Sequence, residues 1–312
     1  MSKKIYKYVG PGVVDLVLSG GGAVFKCSKP EDFNDPYELF LTVDFSVEPE
    51  ALACYQEIVG NIPQLPTTCF SKSPSVIPMW AHYAQNVTGF VVEVDEERLK
   101  EHFPESSFND VAYMDAPGTG LTEMLYRAHV IGKPRYVYML QGGAFYAAYF
   151  TKASCWSYEA ERRMVVSEKE IRASGGLLLL DVPGECITAI IAGARAGVDL
   201  IEKLKGLSDL IGCDFFKMEI GRTTVAPFFK DSDGASYVFD GAGLAEDSNS
   251  CDTCGEPISK GGDQCSWCQI TEQHQTSAAI GNPYRMLNRI GRLDAYVDSM
   301  DAITKRHSRR EE

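Results

Sequence analysis

The chain contains 312 residues, of which 45% are hydrophobic and 11% aromatic, and its formal net charge is −13. Such a chain can build one sizeable core with an appendage, or two small domains. Its acidity disfavours non-specific binding to nucleic acid or to anionic lipid, although a local basic patch would override the average.

Hydrophobic periodicity predicts short strands and helices in irregular alternation. Strands are predicted at residues 4–9, 23–27, 67–71, 89–94, 111–114, 161–167, 177–182, 187–192, 215–220 and 236–239. Helices are predicted at residues 13–18, 49–60, 78–84, 96–103, 121–150 and 199–211, with Asp199 as the N-cap of the last. This order does not suit a doubly wound sheet. We therefore predict an α+β fold with a mixed, mainly antiparallel sheet and flanking helices.

The C-terminal part of the chain has a different organisation. Residues 241–250 are mostly small or acidic and are predicted to form a linker. Residues 251–272 read as a zinc ribbon-like knuckle, and residues 282–307 as one amphipathic helix. Its apolar residues recur at spacings of three and four: Leu287, Ile290, Leu293, Val297, Met300 and Ile303. We expect these parts to follow a single domain at residues 1–240.

Two Cys-x-x-Cys pairs give the strongest motif of the chain. Cys251 and Cys254 are followed, after ten residues, by Cys265 and Cys268. This spacing predicts one tetrahedral zinc ion held by four thiolates. A site with four protein ligands leaves no position for substrate, so the predicted zinc is structural.

The charge around these cysteines opposes a nucleic-acid role for the zinc segment. Residues 246–272 carry six acidic residues and the single base Lys260, and four thiolates on Zn²⁺ add further negative charge. A structural clip or a protein-docking element is favoured. Three roles remain open for the terminal helix, which carries several arginines. It packs on the main domain, forms a dimer interface or contacts nucleic acid.

The other six cysteines are scattered, at positions 27, 54, 69, 155, 186 and 213. This pattern is typical of reduced thiols. The first ten residues lack the apolar centre of a signal peptide, and the longest apolar run, residues 136–150, is too short to span a bilayer. A cytoplasmic protein is expected, without membrane contact.

Three short motifs carry candidate functional side chains. The first is Phe33-Asn-Asp-Pro-Tyr-Glu38, in which Asn34 and Asp35 precede a proline. Asn and Asp at such a position bond nearby backbone N–H groups and fix a turn. The motif is therefore either turn architecture alone or a polar wall of a binding site.

The second motif joins the predicted strand end Cys69-Phe-Ser71-Lys to the short helix that contains Met79, Trp80, His82 and Tyr83. His82 is a candidate acid, base or hydrogen-bond donor. The third motif is Trp156-Ser-Tyr-Glu159-Ala-Glu161-Arg-Arg163. Glu159, Glu161 and Arg163 share one face if the segment enters a strand. A plain ion pair and a catalytic carboxylate both remain open.

Taken in order, these motifs resemble the bacterial and phage family called domain of unknown function 2971. The resemblance rests on Tyr6-Lys-Tyr8, FNDPYE, CFSK, PMWAHYA, TGFVVEVD and WSYEAERRMV, and covers about residues 4–240. The zinc segment and the terminal helix lie outside it. The family name carries no activity.

The same order of elements also resembles the ADP-ribosyltransferase superfamily. That resemblance implies that Tyr6 or Tyr8 holds NAD, that Ser71 supports the nicotinamide side, that Glu161 stabilises the ribose as its bond breaks, and that Glu159 orients the acceptor. Lys7 stands where an Arg or His would be expected. Asn34, Asp35, Trp80, Tyr83 and Arg163 complete the expected cofactor-binding set, and His82 completes the catalytic one.

Two functional hypotheses follow. The chain is either an enzyme that binds NAD and transfers ADP-ribose, such as a toxin-like or defence effector, or a module that binds a nucleotide or nucleic acid while its zinc segment recruits a protein. A third interpretation is that these motifs are only turns and strand ends that define the fold.

Overall fold

A computed structural model describes residues 3–37, 41–258 and 262–308. It contains two compact units. The first comprises residues up to 248 together with 255–257, and the second comprises residues 249–254 and those from 258 onward. Within the described residues, no helix is long and apolar enough to cross a membrane.

The strands are β1 (Lys4–Val9), β2 (Leu18–Ser19), β3 (Gly22–Cys27), β4 (Thr67–Ser71), β5 (Phe90–Asp95), β6 (Ser107–Asp110), β7 (Ala112–Tyr113), β8 (Thr151–Lys152), β9 (Glu161–Val165), β10 (Arg172–Ser174), β11 (Leu177–Val182), β12 (Ile187–Ala192), β13 (Asp214–Glu219), β14 (Phe228–Lys230), β15 (Ser236–Phe239) and β16 (Leu244–Glu246). The helices are α1 (Val14–Val17), α2 (Pro49–Val59), α3 (Ile77–His82), α4 (Glu96–His102), α5 (Thr119–Tyr126), α6 (Pro134–Phe150), α7 (Val198–Ile211), α8 (Glu272–Ile280), α9 (Pro283–Arg289) and α10 (Leu293–Ser308).

The largest sheet has ten strands in the order β16-β15-β14-β13-β12-β5-β1-β4-β9-β6. Its neighbouring strands are antiparallel, except that β12 and β13 are parallel. A second sheet has the order β10-β11-β3-β2, and β7 and β8 form a small parallel pair. The predicted α+β class with a mainly antiparallel sheet is confirmed.

Strand β1 lies in the middle of the large sheet and is buried on both faces. Ile5 and Val9 pack into one hydrophobic core, and Tyr6 and Tyr8 pack into a second core that includes Trp80. Burying each of these side chains contributes about 1.5–3 kcal/mol. An alternation of aliphatic and aromatic residues thus places the two tyrosines on a single face.

The large sheet opens between β1 and β4. In the described chain these strands share one pair of facing residues, Tyr6 and Ser71. Beyond this pair the Lys7 ammonium group bridges the gap and donates hydrogen bonds to the Cys69 carbonyl (2.8 Å) and the Thr68 hydroxyl (2.9 Å). Because two side-chain bonds replace the backbone ladder here, space is left beside Tyr6 and Ser71.

Helices α2, α5 and α6 form a small helical layer with its own core, which includes Tyr55, Leu125 and Leu140. The sequence pattern predicts one helical stretch over residues 121–150, but the structure interrupts it. Gly132 adopts a left-handed φ of +66°, and Pro134 begins α6. A proline fits the first turn of a helix but not its interior, so a new helix starts there.

Several other elements differ from the sequence-based predictions. Gly197, and not Asp199, is the N-cap of α7, and no side chain caps that helix. Asp199 lies in the first turn, where its charge still suits the helix dipole. Strands β6, β14 and β16 are too short to give a clear periodic signal, and β16 lies inside the segment predicted to be a linker.

The segment predicted as one helix at residues 282–307 forms two, α9 and α10. Gly291 lies between them with a left-handed φ of +65°, which a helix interior does not accommodate. A further helix, α8, precedes them, and its apolar residues are confined to its last three positions. Its weak periodicity explains why the sequence pattern did not predict it.

Glu256 ties the segment at 255–257 to a loop of the first unit. Its buried carboxylate accepts hydrogen bonds from the backbone N–H of Arg222 and from the backbone N–H and hydroxyl of Thr223. Burial acts to raise the pKa of Glu256, but these donors outweigh it and the pKa is lowered.

Replacement of Glu256 by alanine is expected to destabilise the protein by about 1.5–3 kcal/mol, because the hydrogen bonds to a buried charged acceptor are lost. Chemical denaturation measures the change in the free energy of unfolding. Glu57→Ala, at an exposed position of α2, is the control and should shift it by no more than about 0.5 kcal/mol. Equal effects of the two variants would contradict the anchoring role.

Candidate functional site

Three predicted site residues lie in one row across neighbouring strands. Tyr6 on β1 faces Ser71 on β4, and Ser71 in turn faces Glu161 on β9. Directly paired residues of adjacent strands project from the same face of a sheet. The row therefore points toward one side, where the sheet opens between β1 and β4.

A cavity of about 270 Å³ lies at this row. Eight of the sequence-predicted site residues line it, namely Tyr6, Tyr8, Asn34, Ser71, Tyr83, Glu159, Glu161 and Arg163. They come from segments that are far apart in sequence, including the FNDPYE, CFSK and WSYEAERRMV motifs. The fold thus brings these motifs together around one cavity.

The carboxylate of Glu161 is buried at the centre of a charged cluster. Arg163 contacts both of its oxygens, with the guanidinium nitrogens Nε and Nη2 at 3.0 and 3.1 Å, and the Lys152 ammonium lies 3.5 Å away. Burial acts to raise the pKa of Glu161, but Arg163 and Lys152 lower it to about 2. Glu161 is therefore ionised at neutral pH.

Arg163 is itself held on several sides. Its Nη1 donates to the backbone carbonyl of Tyr149 at 2.7 Å, and its guanidinium group lies 5.1 Å from the ring centre of Phe33. Phe33 begins the FNDPYE motif, so this turn packs directly on the ion pair. Glu38, the last residue of the motif, lies outside the described residues.

Glu159 is the second buried carboxylate of the cluster. It accepts hydrogen bonds from the Tyr83 hydroxyl at 2.5 Å and from the Lys152 ammonium at 2.7 Å. Burial and the bond to Glu159 raise the pKa of Tyr83 far above its usual range, so the phenol stays protonated and donates. Glu159 ends a short 3₁₀ turn before β9, and Ala160 follows it with a left-handed φ of 45°.

Lys152 was not found by sequence reasoning, although it contacts both carboxylates and lies 4.7 Å from the ring centre of Trp156. One signal would have indicated such a residue. Two buried carboxylates beside one arginine leave an uncompensated charge, so a second cation is required. Its position in the fold, on the two-residue strand β8, could not be read from the sequence.

The Ser71 hydroxyl is engaged with the backbone. It donates to the carbonyl of Glu159 at 2.7 Å and accepts from the N–H of Ser73 at 3.3 Å. This bond holds the turn that carries Glu159 against β4. The Tyr8 hydroxyl donates to the Ser73 carbonyl at 2.9 Å, so both residues fix the same loop.

The Tyr6 hydroxyl is different, because it is fully buried and makes no hydrogen bond with any described residue. Burial, followed by the negative charge of Glu93, raises its pKa far above the usual range. A buried hydroxyl without a partner is uncommon and costs free energy. Tyr6 thus lines the cavity as a protonated phenol near the carboxylate of Glu93.

Three predicted residues do not line the cavity. His82 is exposed, and its ring lies 6.2 Å from that of Tyr158. Trp80 is buried, donates through its indole N–H to the Pro74 carbonyl and packs edge-on against Tyr8. Asp35 is buried and accepts from the backbone N–H of Tyr37, which is the turn geometry expected for Asp before proline.

The four predicted zinc ligands lie together in the second unit. The sulfurs of Cys251, Cys254, Cys265 and Cys268 are all within 4.8 Å of one another, and those of Cys254 and Cys265 are 3.8 Å apart. A tetrahedral ion with Zn–S bonds of about 2.3 Å requires sulfurs about 3.8 Å apart. The donor set and its spacing fit zinc, and the cluster could hold a metal ion.

Among known protein families, one family model matches part of the chain. A model of the family described as "Protein of unknown function (DUF2971)" matches residues 79–164. The match supports the family resemblance and spans helix α3 through most of β9, including Glu159 and Glu161. The description names no activity or ligand. Neither the curated proteins nor the solved structures contain a match to this chain.

Proposed function

We propose that the first unit binds NAD in the cavity between β1 and β4 and transfers ADP-ribose to a macromolecular acceptor, as a toxin-like or defence effector would. The observation that carries this proposal is the row formed by Tyr6, Ser71 and Glu161. The resemblance to ADP-ribosyltransferases requires Tyr6 or Tyr8 to meet Ser71 and Glu161, from three separate segments, at one site. Their register across adjacent strands supports that requirement.

The charge of Glu161 suits this chemistry. When the bond between ribose and nicotinamide breaks, the bonding electrons leave with nicotinamide and positive charge develops on the ribose. A carboxylate held ionised in a buried site stabilises such charge. The acceptor's nucleophile then bonds to the ribose carbon and releases a proton. In this scheme Glu159 orients the acceptor, and Tyr6 offers its unused hydroxyl to the ligand.

The cavity volume restricts how the dinucleotide binds. At about 270 Å³ the cavity lies just below the range of roughly 300–1,000 Å³ typical of small-molecule pockets. It therefore suits one end of NAD, and the remainder of the ligand lies outside it. The buried carboxylates favour the nicotinamide-ribose end, where the positive charge develops.

A second candidate function is binding without turnover. The observation that favours it is that Glu159 and Glu161 already accept hydrogen bonds from Tyr83, Lys152 and Arg163. A carboxylate that is already paired has less charge to offer a substrate. On this hypothesis the cavity binds a nucleotide and leaves it intact.

Incubation of the purified protein with NAD and a cell lysate separates the two functions. Wild-type protein is expected to release nicotinamide, and Glu161→Gln is expected to lower the rate at least 100-fold, because the charge that stabilises the transition state is lost. High-performance chromatography quantifies the nicotinamide.

Glu96→Gln is the matched control. Glu96 is equally buried and pairs with Arg162, the neighbour of Arg163 that points to the opposite face of β9. This variant should keep the activity of its folded fraction. Saturable NAD binding without nicotinamide release would favour the binding function, and release that survives in Glu161→Gln would reject the enzymatic one.

We also propose that the cysteine cluster of the second unit holds a structural zinc ion. Four thiolates complete a tetrahedral shell and leave no open position for a substrate. Cys251 and Cys265 are buried, which protects the site from exchange. A metal supplies the stability that a segment of this length cannot obtain from a hydrophobic core.

A further inference from the structure

Helices α9 and α10 expose an apolar surface that is large for so short a segment. Their exposed apolar side chains are Tyr284, Met286, Ile290, Tyr296, Met300 and Ile303, each between 42% and 67% exposed. The two helices contact each other through the rings of Tyr284 and Tyr296, whose centres are 6.1 Å apart. Apolar surface repeated along neighbouring helices is typical of an interaction site.

The charges on this helix pair are separated into two blocks. Residues 283–292 contain three arginines and no acidic residue, and residues 293–303 contain three aspartates and no basic residue. The arginines are Arg285, Arg289 and Arg292, and the aspartates are Asp294, Asp298 and Asp301. Within each set the residues are spaced by four and then three positions. On α10 this spacing places the three aspartates on one face of the helix.

Neither block is neutralised by an ion pair with another described residue. All six side chains are exposed, and none takes part in an ion pair within the part of the chain that the structure describes. Charges that flank an apolar seam commonly select the partner and orientation of a helix. A partner for this surface should therefore carry an acidic row and a basic row with the same spacing.

We propose that α9 and α10 dock onto the same two helices of a second copy of this chain. The surface carries a charge row in one block and its complement in the next, which is a self-complementary arrangement that a two-fold interface can pair. In such an interface residue i contacts residue j of the partner, and j contacts i. The arginine row of one copy then lies against the aspartate row of the other, twice, with the apolar side chains between them.

The equal spacing of the two rows gives the pairing a definite register. An offset of nine residues places Arg285 opposite Asp294, Arg289 opposite Asp298 and Arg292 opposite Asp301 of the second copy. One arrangement therefore satisfies all three charge pairs. This inference is independent of the NAD proposal.

Sedimentation velocity on the full-length, zinc-loaded protein tests the interface. Wild type is expected to sediment as a dimer at micromolar concentration. Arg289→Asp and Asp298→Arg should each weaken dimerisation at least tenfold, because each places like charges together at two symmetric positions. The double variant Arg289→Asp/Asp298→Arg should restore the dimer, and an equal mixture of the two single variants should form a mixed dimer.

Glu202→Arg, an exposed reversal on α7, is the control and should remain dimeric. Circular dichroism and zinc content verify that each variant is folded. A monomeric wild type would overturn the proposal. So would folded single variants that stay dimeric, or a folded double variant and mixture that both remain monomeric.

Discussion

Replacement of Arg163 by methionine is expected to destabilise the folded protein by about 3–5 kcal/mol. The side chain is fully buried and makes two contacts with Glu161 and one with the Tyr149 carbonyl. Removing one partner of a buried ion pair leaves the other charge uncompensated, and this loss is large even where the intact pair contributes little net stability. The change is measured by chemical denaturation at neutral pH.

Arg172→Met is the matched control for this prediction. Arg172 also contacts a carboxylate through two nitrogens, at 2.6 and 2.9 Å from Asp181, but both side chains are about half exposed. An exposed pair contributes at most about 1 kcal/mol. If the two variants lost the same stability, burial of the Arg163 pair would not be the source of the effect.

The acid dependence of stability provides a second measurement on the same pair. Glu161 has its pKa lowered from 4.5 to about 2 in the folded protein. A lowered pKa contributes stability that is present above pH 4.5 and is lost as pH falls toward 2, here by about 3 kcal/mol. In Arg163→Met the lowering effect of the guanidinium is lost while burial remains, so the pKa of Glu161 should rise and the loss of stability between pH 4.5 and 2 should shrink.

Removal of metal is expected to unfold the cysteine knuckle of the second unit. Zinc binding by comparable segments supplies about 10–16 kcal/mol of apparent free energy. Wild-type protein should contain one zinc per chain by elemental analysis. A strong chelator should remove it, with loss of amide protection around Cys251 and Cys265 in hydrogen exchange.

Cys265→Ser should lower zinc affinity by several orders of magnitude, because serine does not replace a thiolate ligand. Cys155→Ser, which changes an exposed cysteine outside the cluster, is the control and should keep one zinc per chain. Full zinc content in Cys265→Ser, or protection that persists without metal, would contradict the structural role.

The candidate site shows where sequence reasoning succeeded and where it stopped. Ser71, Glu159 and Glu161 were identified because polar residues at strand ends give a short, local pattern. His82 belongs to an equally suggestive pattern, yet it is exposed, because Met79 and Trp80 take the buried positions of the short helix. One turn of helix does not reveal which of its sides is buried.

Lys152 illustrates the opposite failure. Nothing around it in the sequence distinguishes it from a surface lysine, but it joins Glu159 to Glu161 at the base of the cavity. Its role depends on the 3₁₀ turn at Ser154–Glu159, which brings Lys152 back beside Glu159, seven residues further along the chain. A short irregular turn of this kind has no hydrophobic period, so the sequence pattern did not indicate the contact.

The sequence by itself determined the four cysteines that could hold a metal ion, the mixed α+β class and the strands that carry Tyr6, Ser71 and Glu161, because cysteine spacing and hydrophobic period act over a few residues. Only the tertiary structure decided that these three residues form one row, that the sheet opens beside them, and that the terminal helix divides at Gly291. Strand register and backbone angles are fixed by long-range packing, which no short stretch of sequence encodes.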